Sequence, residues 1–252
     1  MRYDGGHAWR ALIHDHRRVV GHRRVIVLCP TRGRPKLAAQ MVRSLRDTAH
    51  RIGTTALLVV DEDDPCLDAY LALPLTGLPY RERAYVMVLA PDQTGDLVRA
   101  TNSAYARLDG DEIIGHVGDD HLFRTPGWDT RITAVLQEPG IAYGDDLHQG
   151  PNLPTAVFLS PEIPRALGWY ALPGSTHLYI DNTWKMLGEA LGRLHYLPDV
   201  VIEHMHATLG KSPMDEGVAR ASAHQAADYA AFLAWQANDL AADVARVQEA
   251  LR

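Results

Sequence analysis

The 252-residue chain is poor in cysteine and has no long apolar segment, and each shortage excludes a class of protein. Its two cysteines, Cys29 and Cys66, form neither a disulfide framework nor the ligand spacing of a zinc site. No apolar run approaches the roughly 18 residues that span a bilayer, and no apolar signal-peptide core stands at the N-terminus. We therefore expect a cytoplasmic protein without a membrane span.

A surplus of positive charge is also missing, because the formal net charge is -6. A chain with this balance has no general attraction to nucleic acid. The N-terminus is nevertheless locally basic, with Arg10, Arg17, Arg18, Arg23 and Arg24 close together. Such a run is typical of a solvated surface and, less often, of an arm that contacts phosphates.

The sequence does contain an alternation of strand-like and helix-like segments. Continuous apolar runs of strand type occur at 25–29, 56–60, 85–89 and 113–118, and helical patterns separate them. Runs that are apolar throughout are typical of parallel strands buried on both faces. The chain, with 46% hydrophobic residues, can also build a sizeable core. The pattern predicts an α/β fold whose central sheet is mostly parallel and flanked by helices.

The second half of the chain is less regular but contains elements of both kinds. A helix is predicted to open near Ile180, with Asp181 as its N-cap. An alanine-rich helical stretch follows at 218–251. Shorter strands are predicted at 141–143, 155–159 and 200–202.

No repeat or low-complexity linker interrupts the chain, so we expect one catalytic domain with two flanking parts. The basic N-terminal segment covers 1–24 and the catalytic domain covers 25–209. A mobile loop and a C-terminal helical extension cover 210–252. The turn-forming residues at 210–217 predict a loop that closes over a ligand as a lid.

Acidic residues follow two of the predicted parallel strands. Asp61 and Asp64 come after the second strand, and Asp119 and Asp120 come after the fourth. Ligands of open α/β sheets bind at this carboxyl edge. Desolvated carboxylates need a partner, and a divalent cation that holds a phosphate-bearing ligand is an economical one. The alternative is that Asp119 and Asp120 only form a turn.

Four segments, in this order along the chain, resemble the GT-A-fold glycosyltransferases, especially those of family 2. They are VIVLCPTRGRP at 25–35, LVVD at 58–61, GDD at 118–120 and IDNTW at 180–184. The resemblance implies a Rossmann-like GT-A domain that transfers a sugar from a nucleotide-sugar, a UDP-sugar by default, to an acceptor hydroxyl with inversion. It also implies a divalent cofactor, Mn²⁺ or Mg²⁺.

Two of these motifs depart from the family pattern. Asp119-Asp120-His121 stands where Asp-x-Asp is usual, and Asp181-Asn182 stands where an acidic pair is usual. The first departure leaves open which acid binds the metal. The second leaves the catalytic base to Asp181, because an amide cannot take a proton.

The resemblance assigns donor-nucleotide contacts to seven residues: Pro30, Thr31, Arg34, Asp61, Arg99, Asn102 and Asp119. Ordinary structural roles compete with each assignment. Pro30 and Thr31 also suit a proline turn, and Asp61 also suits a helix cap. Arg99 and Asn102, three apart on one helix face, also suit a solvated surface.

For the metal, the resemblance makes Asp120 the first ligand and adds a histidine from the C-terminal part. His204 and His206 alternate along an extended segment and so point the same way. We prefer His206, which lies further past the predicted strand. Imidazole ligation favours Mn²⁺ over Mg²⁺. His121 is expected to face the loop.

The acceptor side rests on Asp181 as catalytic base and on three aromatic residues that could line a pocket: Trp169, His177 and Trp184. Packing in the core is the competing role for the tryptophans. Asp145 and Asp146 lie in a polar loop that we leave without a role.

Two other functions compete with sugar transfer. A nucleotidyltransferase also uses acids on a metal, although the chain has no glycine-rich phosphate loop followed by lysine. The third hypothesis is a module that binds a nucleotide-sugar without catalysis. The acceptor stays open among a glycan, a small molecule and a hydroxymethylated pyrimidine of phage-type DNA, which the basic N-terminal segment would then contact. The oligomeric state stays open as well.

Overall fold

The computed structural model of the chain describes residues 23–73, 84–90, 96–211 and 216–252. The basic segment up to residue 22 and the centre of the expected lid, residues 212–215, lie outside the described residues. The expectations for a phosphate-contacting arm and for a closing lid therefore stay predictions.

The described residues form an α/β fold with a mixed eight-stranded sheet. The strands are β1 (Val25–Pro30), β2 (Thr54–Asp61), β3 (Ala84–Leu89), β4 (Ile113–His116), β5 (His121–Phe123), β6 (Ile141–Asp145), β7 (Val157–Leu159) and β8 (Leu194–His204). The helices are α1 (Pro35–Thr48), α2 (Leu67–Leu71), α3 (Leu97–Tyr105), α4 (Trp128–Val135), α5 (Glu162–Leu167), α6 (Ile180–Leu191), α7 (Glu216–Asn238) and α8 (Leu240–Ala250).

The sheet order is β3-β2-β1-β4-β7-β6-β8-β5. The first four strands in this order are parallel to one another, and β6 is parallel to β8. Strand β7 is antiparallel to both of its neighbours, and β5 is antiparallel to β8. The expected parallel half is confirmed, and its carboxyl edge brings together the residues that follow β1, β2 and β4.

Side chains of the buried strands alternate between two apolar layers, one on each face of the sheet. In β1, Val25 and Val27 enter one layer, whereas Ile26 and Leu28 enter the other. Helices α1 and α4 cover the first layer, and α3, α5 and α6 cover the second. Every side chain of a strand buried on both faces lies in an apolar layer, and for this reason β1 is apolar throughout.

The C-terminal helices pack on the second layer. Phe232 and Trp235 of α7 and Val247 of α8 are buried in the same cluster as Trp184. The single helical stretch expected at 218–251 is divided into two helices at Asp239. None of the helices in the described part of the chain combines the length and apolarity needed to cross a bilayer.

Two local expectations need correction. Asp181 is not an N-cap: Tyr179 occupies that position and the helix begins at Ile180, so Asp181 lies within the first turn. The strand expected at 200–202 is eleven residues long and runs to His204. Strand β5 is missing from the sequence prediction, because three residues are too short for a periodic signal.

Candidate functional site

The loop after β1 connects to the acids after β4. The Thr31 hydroxyl donates to Asp119 Oδ2 at 2.7 Å, and Arg34 Nη1 lies 3.3 Å from Asp119 Oδ1. The Tyr70 hydroxyl lies 2.9 Å from Thr31 Oγ1 and accepts the Arg34 backbone N–H at 2.8 Å. Pro30 ends β1 directly before this group. Thr31, Arg34 and Asp119, three of the expected donor-binding residues, therefore lie together. Tyr70, which no sequence pattern indicated, joins Thr31 to the backbone of Arg34.

Asp119 is 6% exposed, and this burial raises the pKa of its carboxyl to about 6, although Thr31 and Arg34 oppose the shift. A buried carboxylate with one cationic neighbour is a poor structural element and a good receptor for hydrogen-bond donors. Its contacts with Thr31 and Arg34 join the loop after β1 to the loop after β4.

The acids after β2 divide between two roles. Asp61 Oδ2 lies 3.1 Å from Arg32 Nη1, and burial raises the pKa of Asp61 even though Arg32 opposes the shift. Asp64 accepts the backbone N–H groups of Gly33 at 2.9 Å and Cys66 at 2.7 Å. Asp64 therefore ties the two strand-end loops together, whereas Asp61 stays partly exposed at the sheet edge.

Of the two expected donor contacts on α3, Asn102 has a structural task. Its Oδ1 accepts the N–H groups of Tyr170 and Ala171 at 2.8 and 2.9 Å, and its Nδ2 donates to the Ala171 carbonyl at 2.8 Å. Its side chain thus fixes the loop after α5. Arg99 lines a surface groove between α3 and residues 173–176.

A cluster of Asp120, His121 and His204 lies where β5 pairs with β8. The antiparallel register places His121 directly opposite His204, and their rings stack with centroids 4.2 Å apart. His204 Nε2 lies 3.4 Å from Asp120 Oδ2, and one potential ligand atom of each residue lies within 4.8 Å of the others. The Met205 backbone N–H donates to the Asp120 carbonyl at 2.8 Å, which fixes the approach of the two segments.

The donor set of this cluster fits a divalent metal. His204 Nδ1 and His121 Nε2 are buried and have no hydrogen-bond partner among the described residues. Burial opposes ionisation of Asp120, but its interactions with His121 and His204 outweigh it and hold its pKa well below the usual range. His121 Nδ1 accepts the Gly118 N–H at 3.1 Å. Each of the three residues offers one potential ligand atom to such an ion.

His206, the sequence-based choice of ligand, lies outside this three-residue cluster. Its Nδ1 is 2.6 Å from Thr208 Oγ1, and its ring is 4.8 Å from that of His204 and 5.7 Å from that of His148. The strand runs further than the sequence suggested, so the ring that reaches Asp120 belongs to the earlier histidine.

Asp181 lies within electrostatic range of His204 in the cluster. Burial raises the pKa of its carboxyl, the N–H of Asn182 opposes the shift, and both His204 and Asp146 act on it electrostatically. Its Oδ1 accepts the Asn182 N–H at 3.0 Å.

The three residues expected to line an acceptor pocket differ in their surroundings. Trp184 is 0% exposed in the core and so cannot contact an acceptor, which corrects that assignment. Trp169 is half-buried with its ring 5.5 Å from that of Trp184. The His177 N–H donates to Asp228 at 2.9 Å. Asp146 accepts the N–H groups of three following residues and so shapes its own loop.

Neither the comparison with protein-family models nor that with curated proteins gave a match. Solved structures do match, among them a mannosyltransferase from Pyrobaculum calidifontis in complex with GDP-mannose and Mn²⁺. The identity is 16% and the TM-score 0.60, over 96% of this chain and 79% of that one.

Glucosyl-3-phosphoglycerate synthase from Mycobacterium tuberculosis, in complex with Mn²⁺, UDP and phosphoglyceric acid, matches with 13% identity and a TM-score of 0.56. The match covers 84% of this chain and 78% of that one. TarS 1-349 from S. aureus matches with 14% identity and a TM-score of 0.52 over 71% of this chain, which spans only 59% of the TarS fragment. The chain therefore has the GT-A fold of these glycosyltransferases.

Proposed function

We propose that this chain is a metal-dependent, inverting glycosyltransferase that moves a sugar from a nucleotide-sugar to an acceptor hydroxyl. The observation that carries the proposal is the cluster of Asp120, His121 and His204 at the end of β8 in a GT-A fold, with Asp181 within electrostatic range of His204. The solved structures with this fold include complexes with GDP-mannose or UDP and with Mn²⁺ or Mg²⁺.

On the donor side, Asp120 and His204 would hold the Mn²⁺ or Mg²⁺ ion. The ion supplies Lewis-acid stabilisation of the charge on the departing nucleoside diphosphate. Asp119, oriented by Thr31 and Arg34, accepts hydrogen bonds from the ribose or from water of the metal shell. Asp61 at the neighbouring strand end receives the base or ribose.

On the acceptor side, Asp181 takes the proton of the acceptor hydroxyl. The acceptor oxygen then forms its bond to the anomeric carbon while the bond from that carbon to the diphosphate oxygen breaks. Attack from the face opposite the leaving group inverts the configuration at that carbon. The raised pKa of Asp181 brings its basicity closer to neutral pH, where a general base works best.

A turnover assay separates this function from its two competitors. Wild-type protein is mixed with Mn²⁺ and a panel of nucleotide-sugars, and the released nucleoside diphosphate is measured. Release of pyrophosphate from a nucleoside triphosphate would instead indicate a nucleotidyltransferase, and binding without turnover would indicate a binding module. The Asp120→Asn variant is the control for metal dependence, because it keeps the shape of the side chain and removes its charge.

The acceptor class is tested with glycans, small polyols and hydroxymethylated duplex DNA. Two arginines at the end of the basic N-terminal run form ion pairs within the protein. Arg23 pairs with Glu162, and Arg24 pairs with Asp109 and Glu112. With a net charge of -6, we expect no salt-dependent binding of duplex DNA from the described part of the chain. Salt-dependent binding would assign that role to the N-terminal segment.

A further inference from the structure

Helix α7 holds the chain segment that leads into Asp181. Asp228 of this helix is 1% exposed, and its carboxylate accepts four hydrogen bonds. Oδ1 accepts from the Thr176 N–H at 2.8 Å and from the Thr176 hydroxyl at 3.0 Å. Oδ2 accepts from the N–H groups of His177 at 2.9 Å and Leu178 at 2.8 Å. One side chain of the C-terminal helix thus pairs with three consecutive residues.

The residue after this clamped segment is strained. Tyr179 has a left-handed φ of 70°, which a non-glycine residue adopts only when its surroundings compensate the strain. Its ring stacks on two rings of α7, with centroids 5.5 Å from Tyr229 and 5.4 Å from Phe232. Helix α6 begins at the next residue, and Asp181 follows.

We propose that Asp228 is a positioning residue that fixes the orientation of the catalytic base through residues 176–179. The inference rests on the proposed function of Asp181. The Thr176 carbonyl also accepts the Val98 N–H at 3.1 Å, so the segment is held from α3 as well as from α7. A base misplaced by about 1 Å can cost about a hundredfold in rate. The C-terminal extension is therefore part of the catalytic apparatus.

The test compares Asp228→Asn with the wild-type protein. The amide replaces one acceptor oxygen by a donor that faces at least one backbone N–H, so at least one of the four hydrogen bonds is lost. We expect kcat for sugar transfer to fall at least tenfold, with unchanged affinities for Mn²⁺ and UDP. Amide hydrogen exchange should accelerate across 176–183 and not in β4 or β5.

Asp129→Asn is the matched control. Asp129 is 0% exposed and accepts the N–H groups of His50 and Arg51 and the Thr54 hydroxyl, at the opposite edge of the sheet. The control should lose stability and exchange faster at 50–54 while its kcat stays unchanged. A comparable loss of kcat in both variants would show a general stability effect and overturn the proposal.

If Asp228→Asn does not fold, Tyr229→Ala replaces it, because Tyr229 is 48% exposed and contributes its ring to Tyr179. We expect a smaller loss of kcat and faster exchange at 176–183. Unchanged kcat and exchange in a folded variant would overturn the proposal. A wild-type protein that neither binds UDP nor turns over would overturn the proposed function instead, and the exchange measurement would still decide whether α7 holds the segment.

Discussion

Two histidines compete for the role of nitrogen ligand. His204 Nε2 lies 3.4 Å from Asp120, whereas His206 has its Nδ1 beside Thr208. We expect His204→Ala to lower the Mn²⁺ affinity at least tenfold and His206→Ala to lower it less than threefold, because only the first removes a cluster atom. A titration of each variant followed by the EPR signal of free Mn²⁺ measures this. The opposite ranking would restore His206, the sequence-based choice.

At the same scale, Asp181 is expected to act in transfer but not in donor binding. We expect Asp181→Asn to keep UDP affinity and to lose about 10² to 10⁴ in kcat, the contribution of a general base. Full transfer activity in that variant would refute the assignment.

The pH dependence of kcat gives a second test of Asp181. The base must be ionised, and burial raises its pKa, so activity should fall on acidification at a higher pH than for an exposed aspartate. A pH profile of kcat from pH 4 to 8 measures this. A profile that stays flat down to pH 4 would contradict a buried aspartate base.

At the scale of elements, the pairing of β6 with β8 sets the loop that carries Asp145 and Asp146. The register shifts between Gly144 and Asp145, and a Cβ on Gly144 would lie 2.1 Å from the carbonyl oxygen of Val200. Because a backbone atom cannot rotate away, we expect Gly144→Ala to lose about 2 kcal/mol of unfolding free energy or more. Urea denaturation measures it.

The control for this variant is Gly188→Ala in α6. There the added Cβ meets no backbone atom but only side-chain atoms, those of Leu194 at 3.0 Å and of Ile141 at 3.2 Å, and the helix gains propensity from alanine. Its stability should change by less than half as much. Equal losses of unfolding free energy in both variants would show that the close backbone approach of β6 and β8 does not limit the residue at position 144.

At the scale of the whole molecule, the proposed ligands should stabilise the fold because they bind only the assembled sheet edge. At a hundred times the Kd, a single ligand adds about 2.7 kcal/mol, equivalent to a rise in Tm of about 5–10 °C for a chain of this size. We expect this rise for Mn²⁺ with UDP in the wild-type protein and its loss in Asp120→Asn. Equal stabilisation of both proteins would place the metal elsewhere.

The local sequence predicts those strands and helices whose apolar pattern extends over many residues. Strands β1 to β4 follow their apolar runs, and α1 starts at Pro35 as expected, with its buried face on Met41, Val42 and Leu45. The carboxyl ends of parallel strands lie at one edge of the sheet, and there the loop after β1 meets the acid after β4, with Thr31 donating to Asp119. These features depend on periodicity and on the direction of parallel strands, both readable within a short window.

Pairings between distant segments decide the rest. Strand β5 has too few residues to show a period, yet its pairing with β8 places His121 opposite His204 and so selects the histidine next to Asp120. Asp228 lies 52 residues from Thr176, and no local pattern links them. The sequence alone determined the α/β architecture and the placing of acids at the ends of its strands, because burial and strand direction are local properties. Only the tertiary structure decided which histidine joins Asp120 and which helix holds Asp181, because those contacts depend on register and packing between segments far apart in the chain.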